Sequence, residues 1–375
     1  MVKQRTKQRV FAVFMLFWPF LSVARADVLI PASDPNINYY GRFDWSDPEK
    51  PVFNWSGNII EANFPGPLIG MKLTHEDGYY DIEIDGEVVS VINCGNKSDH
   101  IFTTNLTPSI HTLRVILRSE GHWSTAVFEG LYLENGKALA PPPVEPSRKI
   151  EFIGDSFSAG YGIESSSRSC SSTDLQKYTN TNKAFPMLIT KAFHAQATVL
   201  AWSGAGMIRN YGDSKKRSDE PFPYYYDRTL ADASDARWDY SKWIPDLVVI
   251  CLGTNDFSTT PHPDDSMYIG DYHKMITRII SNYPQAKICC VGTTETIIQK
   301  LVKQVVTEEN DQYIHPQVFY AEFPPSIEYT ACDWHPSITD NKAITNNILK
   351  SIMTEMNWDT AATTTIINRF NLNTC

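Results

Sequence analysis

Ser156 is the residue whose type and setting are best suited to chemistry. It lies in the stretch 148–162, RKIEFIGDSFSAGYG, where Ile150, Phe152 and Ile153 predict a short buried strand and Gly154 begins a tight turn. Such a turn exposes the serine hydroxyl at the carboxyl end of a strand, where open parallel sheets bind ligands. The pattern indicates a nucleophile, and the alternative is a serine that only caps the next helix.

Three further motifs follow Ser156 at the ends of later predicted strands. They are SGAGM with Gly204, GTND with Asn255, and CDWHP with Asp333 and His335. Each alone has a plain structural interpretation as a turn, a helix cap or an ordinary histidine. Because the carboxyl ends of parallel strands meet at one edge of a sheet, we expect all of these residues to share one crevice.

Acyl transfer from an ester gives each of these residues a role. A serine hydroxyl is a weak nucleophile near neutral pH, and His335 is the base that would take its proton. The resulting oxyanion needs converging N–H donors, which the backbones of Ser156 and Gly204 and the side chain of Asn255 would supply. Every group in this chemistry belongs to the protein, so we expect no metal and no other cofactor.

The orientation of His335 has two explanations. If one ring nitrogen accepts the serine proton, the other must donate to an acceptor that fixes the tautomer. We expect that acceptor to be Asp333, and the alternative is a backbone carbonyl such as that of Trp334, or a residue on another loop.

Trp334 is the expected substrate-binding residue. With the tyrosines at 224–226 and the proline-rich junction, it would wall a crevice that accepts acetyl and little more.

The residues before the serine motif predict a separate β-domain over 27–140. Short strand patterns occur at 57–64, 67–74, 79–92, 111–117 and 126–133, bounded by Gly, Pro, Asn or Asp. The Asp85-Gly86 pair is a strong hairpin signal within one of them. Regular strands without a helical period indicate a β-sandwich. The proline-rich segment 141–147 cannot enter a sheet or helix interior and is the expected linker.

The residues 148–375 predict an α/β domain. Apolar runs predict five buried strands, at 149–153, 197–202, 246–252, 286–291 and 317–323. Helical periods lie at 272–281 and 295–306, and a last helix over 337–357 begins with Ser337 and Asp340 in capping-box spacing. Continuous apolar strands joined by helices indicate a parallel sheet covered on both faces.

The first 26 residues have the pattern of a secretory signal peptide. Basic residues precede an apolar run at 10–23 and a small-residue cleavage site at 24–26, so we expect a secreted protein, extracellular or periplasmic, that begins at Asp27. Removing this segment deletes five basic residues and no acidic ones, which moves the net charge from -10 to -15. So acidic a chain is not expected to bind nucleic acid or a membrane, whereas a neutral polysaccharide is compatible.

The cysteine pattern favours disulfides over a metal. Seven cysteines are present, and no two have C-x-x-C spacing, so a structural zinc site has little support. An export compartment permits disulfides, and the odd count leaves at least one cysteine without an intramolecular partner.

The four motifs resemble those of the SGNH or GDSL-type hydrolases. The strings SGAGMIRN and CDWHP, and the β-domain that precedes them, are more narrowly similar to carbohydrate esterase family 2. That resemblance implies a flavodoxin-like five-stranded sheet, a jelly-roll partner domain and removal of acetyl groups from plant cell-wall polysaccharides. One departure is the spacing of Asp333 and His335, which is two residues where the superfamily has three.

Three functions compete at this point. The leading hypothesis is a secreted carbohydrate O-acetyl esterase acting on xylan or glucomannan, with the 6-hydroxyl ester of a hexose as the position that the resemblance implies. The second is a lipase or aryl esterase with the same site. The third is a carbohydrate-binding protein with an inert hydrolase domain, which the intact serine and histidine motifs disfavour.

Overall fold

The computed structural model describes residues 27–103, 106–121, 124–233, 236–311 and 317–359. The predicted signal peptide and the last residues of the predicted catalytic domain lie outside these ranges. No helix in the described ranges is long and apolar enough to cross a membrane.

Ten antiparallel strands form the N-terminal domain. They are β1 (Asp27–Pro31), β2 (Ile37–Tyr40), β3 (Val52–Phe53), β4 (Ile59–Pro65), β5 (Ile69–Thr74), β6 (Tyr79–Ile84), β7 (Glu87–Asn93), β8 (Asp99–Thr103), β9 (Ile110–Leu117) and β10 (Ala126–Glu134). One sheet has the order β1-β10-β5-β8, with β3 also paired to β10, and the other has the order β2-β4-β9-β6-β7. The apolar faces of the two sheets enclose one core, so the predicted β-rich domain is confirmed.

Five parallel strands form the sheet of the C-terminal domain. They are β11 (Arg148–Gly154), β12 (Ala195–Ala201), β13 (Leu247–Cys251), β14 (Lys287–Gly292) and β15 (Val318–Glu322). Their order is β12-β11-β13-β14-β15, which is the flavodoxin-like order. The strand order reverses at β11, and in such sheets ligands bind at the carboxyl ends of the strands beside this reversal. The predicted α/β domain with a five-stranded parallel sheet is therefore confirmed.

Helices cover both faces of this sheet. They are α1 (Ser156–Ala159), α2 (Ser172–Tyr178), α3 (Phe185–Phe193), α4 (Thr254–Phe257), α5 (Asp265–Asn282), α6 (Thr296–Asp311) and α7 (Ile338–Met356). Helices α5 and α6 pack on one face, and α3 and α7 on the other. The capping box of Ser337 and Asp340 is present as predicted. The helical period at 272–281 lies within α5, which begins earlier, at Asp265, where buried Tyr268 extends the apolar face.

The two domains share a buried interface that contains charge. Arg42 of the sandwich is fully buried, and one guanidinium nitrogen lies 3.3 Å from the carboxylate of Glu151 on β11. The other terminal nitrogen donates to the carbonyls of Tyr226 and Arg228, at 2.6 and 2.8 Å. Because a buried ion is costly unless it is paired, these contacts commit the two domains to one relative position.

We expect Arg42→Met to destabilise the whole chain. The substitution leaves the Glu151 carboxylate buried without its cation, which typically costs about 3–5 kcal/mol of unfolding free energy. Urea unfolding followed by far-UV circular dichroism measures the loss. Arg237→Met is the control, because the Arg237 side chain is 65% exposed and lies 3.5 Å from Asp227. A loss below ~1 kcal/mol for Arg42→Met, as expected for the control, would contradict the prediction.

Candidate active site

The serine motif forms a sharp strand-to-helix turn. Strand β11 ends at Gly154 and α1 begins at Ser156, with Asp155 as its N-cap, accepting from the Phe157 N–H at 3.0 Å. A side chain at Gly154 would not fit, because its Cβ would lie 2.0 Å from the Ser158 hydroxyl oxygen. Close packing beneath the turn thus keeps Ser156 at the carboxyl end of the sheet, where it is 7% exposed.

The structure brings the predicted base to the predicted nucleophile. The His335 Nε2 atom lies 2.8 Å from the Ser156 hydroxyl oxygen, although 179 residues separate the two. The other ring nitrogen, Nδ1, lies 2.9 Å from the Cys332 carbonyl oxygen and 3.2 Å from that of Asp333. With its proton on Nδ1, the ring presents an unprotonated Nε2 that can accept the serine proton.

The expectation that the Asp333 carboxylate orients His335 does not agree with this geometry. The chain passes through left-handed backbone at Asp333 and Trp334, with φ of 48° and 62°. This turn directs the backbone carbonyls toward Nδ1, while the Asp333 carboxylate accepts from the Tyr161 hydroxyl at 2.9 Å. The Tyr161 ring stacks on the imidazole with 4.2 Å between ring centres. The Asp333 carboxylate is therefore bonded to Tyr161, whose ring packs on the base, and not to the base itself.

A neighbouring loop holds the turn that carries His335. A disulfide joins Cys170 to Cys332, the residue whose carbonyl orients the base. The Arg168 carbonyl accepts from the Asp333 N–H at 2.8 Å, and the Arg168 guanidinium lies 3.7 Å from the ring centre of Trp334. No role in the site was predicted for this loop from the sequence. Its contacts to the turn at 332–335 join segments that are far apart in the sequence, and local sequence patterns do not predict such contacts.

Two of the three predicted oxyanion donors are available in the crevice. Within the described part of the chain, the N–H groups of Ser156 and Gly204 have no hydrogen-bond acceptor. Gly204 has a φ of 82°, and a Cβ there would point into open space. The Asn255 amide nitrogen lies 2.9 Å from the Ala205 carbonyl and 3.3 Å from Asp155. An oxyanion would have to replace the longer of these two contacts.

Asp256, the last residue of the GTND motif, also shapes the oxyanion loop, which is the segment 203–209. The carboxylate of Asp256 accepts from the backbone N–H groups of Met207, Ile208 and Arg209 at 2.8, 2.8 and 2.9 Å. Burial raises the pKa of Asp256 to about 6 even though these three bonds favour the charged form. This carboxylate therefore holds the segment just after Gly204 against the end of β13.

The crevice has two lobes that share Ser156 and His335. The lobe on the Gly204 side has a volume of about 530 Å³, and the other lobe, of about 280 Å³, is lined by Phe157 and Tyr329 among others. Trp334 lines both lobes and is 65% exposed. Tyr211 also lines both lobes and is 64% exposed. Its sequence context gave no signal for this position.

The expected walls at 224–226 and at the proline-rich junction do not line this crevice. Tyr226 is fully buried against Glu151, and Tyr225 stacks on Trp202 with ring centres 4.9 Å apart. Pro143 lines a separate cavity of about 300 Å³. Tyr226 instead serves the domain interface, where its carbonyl accepts from Arg42 and its ring is buried.

Burial shifts the pKa values of His335 and Asp155 in the site. It lowers the pKa of His335, and this effect outweighs the backbone carbonyls and the carboxylates that favour the protonated ring. Burial also raises the pKa of Asp155 to about 8, with the nearby carboxylates of Glu295 and Asp256 adding to the shift. Near neutral pH the base is thus unprotonated, as proton abstraction requires.

Among the described residues, no group of three or more His, Cys, Asp or Glu side chains could hold a metal ion. That the reaction needs no metal stays a prediction.

The fold and the site together define a class of protein. A Ser-His pair at the carboxyl edge of a flavodoxin-like sheet is the arrangement of a serine-dependent carboxylic ester hydrolase. The family model for the GDSL-like Lipase/Acylhydrolase family matches residues 152–318. The model described as Carbohydrate esterase 2 N-terminal matches residues 39–143.

Comparison with individual proteins identifies the family within that class. An acetylxylan esterase / glucomannan deacetylase of Cellvibrio japonicus is 31% identical over 81% of this chain and 86% of its own length. Cellulase/esterase CelE of Acetivibrio thermocellus is 34% identical over 87% of this chain, which spans 40% of that protein. A solved family two carbohydrate esterase from Clostridium thermocellum, in complex with cellohexaose, superposes with a TM-score of 0.79 at 32% identity, covering 86% of this chain and 100% of that one. This chain belongs to carbohydrate esterase family 2.

We expect Asp333→Asn to lower turnover by no more than about tenfold, because backbone carbonyls hold the His335 tautomer. Where a carboxylate holds the ring, the same change typically costs about 10,000-fold. Turnover of nitrophenyl acetate is the measurement. Tyr161→Phe is the matched control, since it removes the hydroxyl bonded to Asp333 and keeps the stacked ring. A loss near the larger figure would restore Asp333 as a member of a triad.

The depressed pKa of His335 predicts activity that extends into acid. The base works when neutral, so kcat/KM should stay on its plateau below the ordinary histidine value of 6.5 and fall as pH drops through the lowered pKa. A profile of kcat/KM for nitrophenyl acetate against pH locates this limb. Half-maximal kcat/KM at or above pH 6.5 would show that burial does not determine the pKa of His335.

Proposed function

We propose that this chain is a secreted carbohydrate O-acetyl esterase that removes acetyl groups from plant cell-wall polysaccharides such as xylan and glucomannan. The observation that carries the proposal is the Ser156–His335 pair, 2.8 Å apart beside two N–H donors that have no acceptor among the described residues. The named activities of the Cellvibrio relative support the acyl group and the polymer. The signal-peptide pattern and the Cys170–Cys332 disulfide support export, because disulfides persist in oxidising compartments.

The reaction begins with acylation of the serine. The Ser156 oxygen attacks the acetyl carbonyl carbon while its proton moves to Nε2 of His335. The carbonyl oxygen becomes an oxyanion that accepts from the N–H groups of Ser156 and Gly204. The intermediate collapses as the bond to the sugar oxygen breaks, and His335 returns the proton to that oxygen. This step releases a sugar hydroxyl and leaves an acetylated serine.

Water completes the cycle by the same route. His335 takes a proton from a water molecule whose oxygen attacks the acetyl carbon, and the bond to Ser156 then breaks with return of the proton to the serine oxygen. Acetate leaves. The imidazolium that forms in each half is stabilised at Nδ1 by the Cys332 carbonyl.

Trp334 is the proposed sugar-binding residue. Its ring is 65% exposed at the mouth of the crevice, and the Arg168 guanidinium 3.7 Å from the ring centre fixes one of its faces. Apolar faces of sugar rings pack on aromatic rings of this kind, so the free surface is a platform beside the nucleophile. The proposed position of attack is the ester on the 6-hydroxyl of a hexose, the most extended position on the ring.

We expect Ser156→Ala to abolish acetate release from acetylated xylan and glucomannan while leaving the fold intact, since the hydroxyl faces the crevice and not the core. Acetate is measured enzymatically, and circular dichroism checks the fold. NMR of partly deacetylated glucomannan identifies the position attacked. Acetate release by the alanine variant at the wild-type rate would refute the role of Ser156. Cleavage of nitrophenyl butyrate as efficient as that of the acetate would favour a lipase or aryl esterase.

A further inference from the structure

A carboxylate of the sandwich domain reaches the oxyanion loop of the hydrolase domain. Glu120 follows strand β9 and is 2% exposed. One carboxylate oxygen accepts from the Ser203 N–H at 2.9 Å, and the other accepts from the Ser203 hydroxyl at 2.6 Å. Hydrogen bonds to an ionised acceptor are stronger than neutral ones, so this two-point contact fixes both the backbone and the side chain of Ser203.

Ser203 directly precedes the glycine that is proposed to donate to the oxyanion. The Gly204 N–H belongs to the peptide group that joins these two residues, so its direction depends on the conformation of Ser203. Gly204 itself offers little restraint, because its φ of 82° and its lack of a side chain leave that backbone permissive. An oxyanion donor is effective only when it is already aimed before the charge develops. The loop therefore needs an external restraint.

Four sets of contacts supply this restraint. The Gly204 carbonyl accepts from the Tyr211 N–H at 2.8 Å, and Asp256 holds the segment that follows. On the preceding side the Trp202 N–H donates to the Gly154 carbonyl at 3.1 Å. Glu120 is the restraint on Ser203, and it comes from the other domain.

We propose that Glu120 is a positioning residue for the oxyanion hole, through which the sandwich domain completes the catalytic site. This inference rests on the proposed esterase function. Glu120 does not touch the reacting atoms: it acts through Ser203 on the direction of the Gly204 N–H. Burial lowers the pKa of His335, and the Glu120 carboxylate opposes this shift, in the direction that stabilises the imidazolium formed during the reaction.

The test is Glu120→Gln in the full chain. The amide keeps the side-chain volume but has one acceptor oxygen, so the Ser203 N–H and hydroxyl can no longer both donate to it. The hydroxyl must rotate to accept from the amide N–H, and a bond to a carboxylate is replaced by a weaker neutral one. Displacing a catalytic group by about 1 Å costs up to 100-fold, so we expect kcat for nitrophenyl acetate to fall by about 10- to 100-fold with little change in KM. The inhibition constant of a small alkylboronic acid should weaken by a similar factor, because its tetrahedral adduct on Ser156 places an oxygen in the oxyanion hole.

Glu83→Gln is the matched control for a purely structural role. Glu83 is also a buried carboxylate of the sandwich that bridges to the hydrolase domain, through Asn182 at 3.1 Å and Lys191 at 3.4 Å. It does not line the crevice. We expect this variant to lose stability while kcat and boronate inhibition, per titrated active site, stay at wild-type values.

The outcomes separate this inference from the proposed function. Wild-type hydrolysis that depends on Ser156 supports the esterase, and a Glu120→Gln variant within twofold of wild-type kcat then overturns the positioning role alone. A Glu120→Gln variant that loses activity only through a smaller folded fraction, like the control, also overturns it. If Glu120→Gln does not fold, Ser203→Ala decides, because it removes the hydroxyl bond and keeps the N–H bond. We expect it to lower kcat by about 3- to 10-fold, and full activity would refute the proposal.

Discussion

The hydrogen bond between His335 Nδ1 and the Cys332 carbonyl is the constraint on which the rest of the site depends. It decides which ring nitrogen faces Ser156, and it stabilises the charge that the ring acquires. A carboxylate can turn to meet a histidine, but a carbonyl is held by its own chain. The backbone from Cys332 to His335 must therefore be rigid, and left-handed backbone at Asp333 and Trp334 is the conformational cost.

The contacts around this turn hold its backbone in place. The Cys170–Cys332 disulfide and the Arg168 carbonyl restrain it from one side, and the Tyr161 ring packs on the imidazole from another. The same backbone path leaves Trp334 exposed at the mouth of the crevice. Base orientation and the proposed sugar platform are thus two results of one loop conformation.

The sandwich domain is part of the same arrangement. Buried Arg42 pairs with Glu151 in strand β11 of the parallel sheet, and Glu120 reaches the loop before Gly204. Apolar residues of the sandwich, including Tyr40 and Ile116, belong to the same buried cluster as one face of that sheet. Since a shared core and buried ions do not tolerate displacement, the two domains behave as a single support for the active site.

The sequence by itself determined the two fold classes, the order of the motifs and the Ser156–His335 pair. Strand and helix periods are local, and the carboxyl ends of parallel strands converge at one edge of the sheet, so the sequence alone pairs two residues that are 179 positions apart. Tertiary structure alone decided the acceptor of the His335 proton, the pairing of Cys170 with Cys332, the lining of the crevice by Tyr211 and the contact of Glu120 with Ser203. These features depend on where loops and side chains from distant segments pack, and no local period in the sequence encodes that.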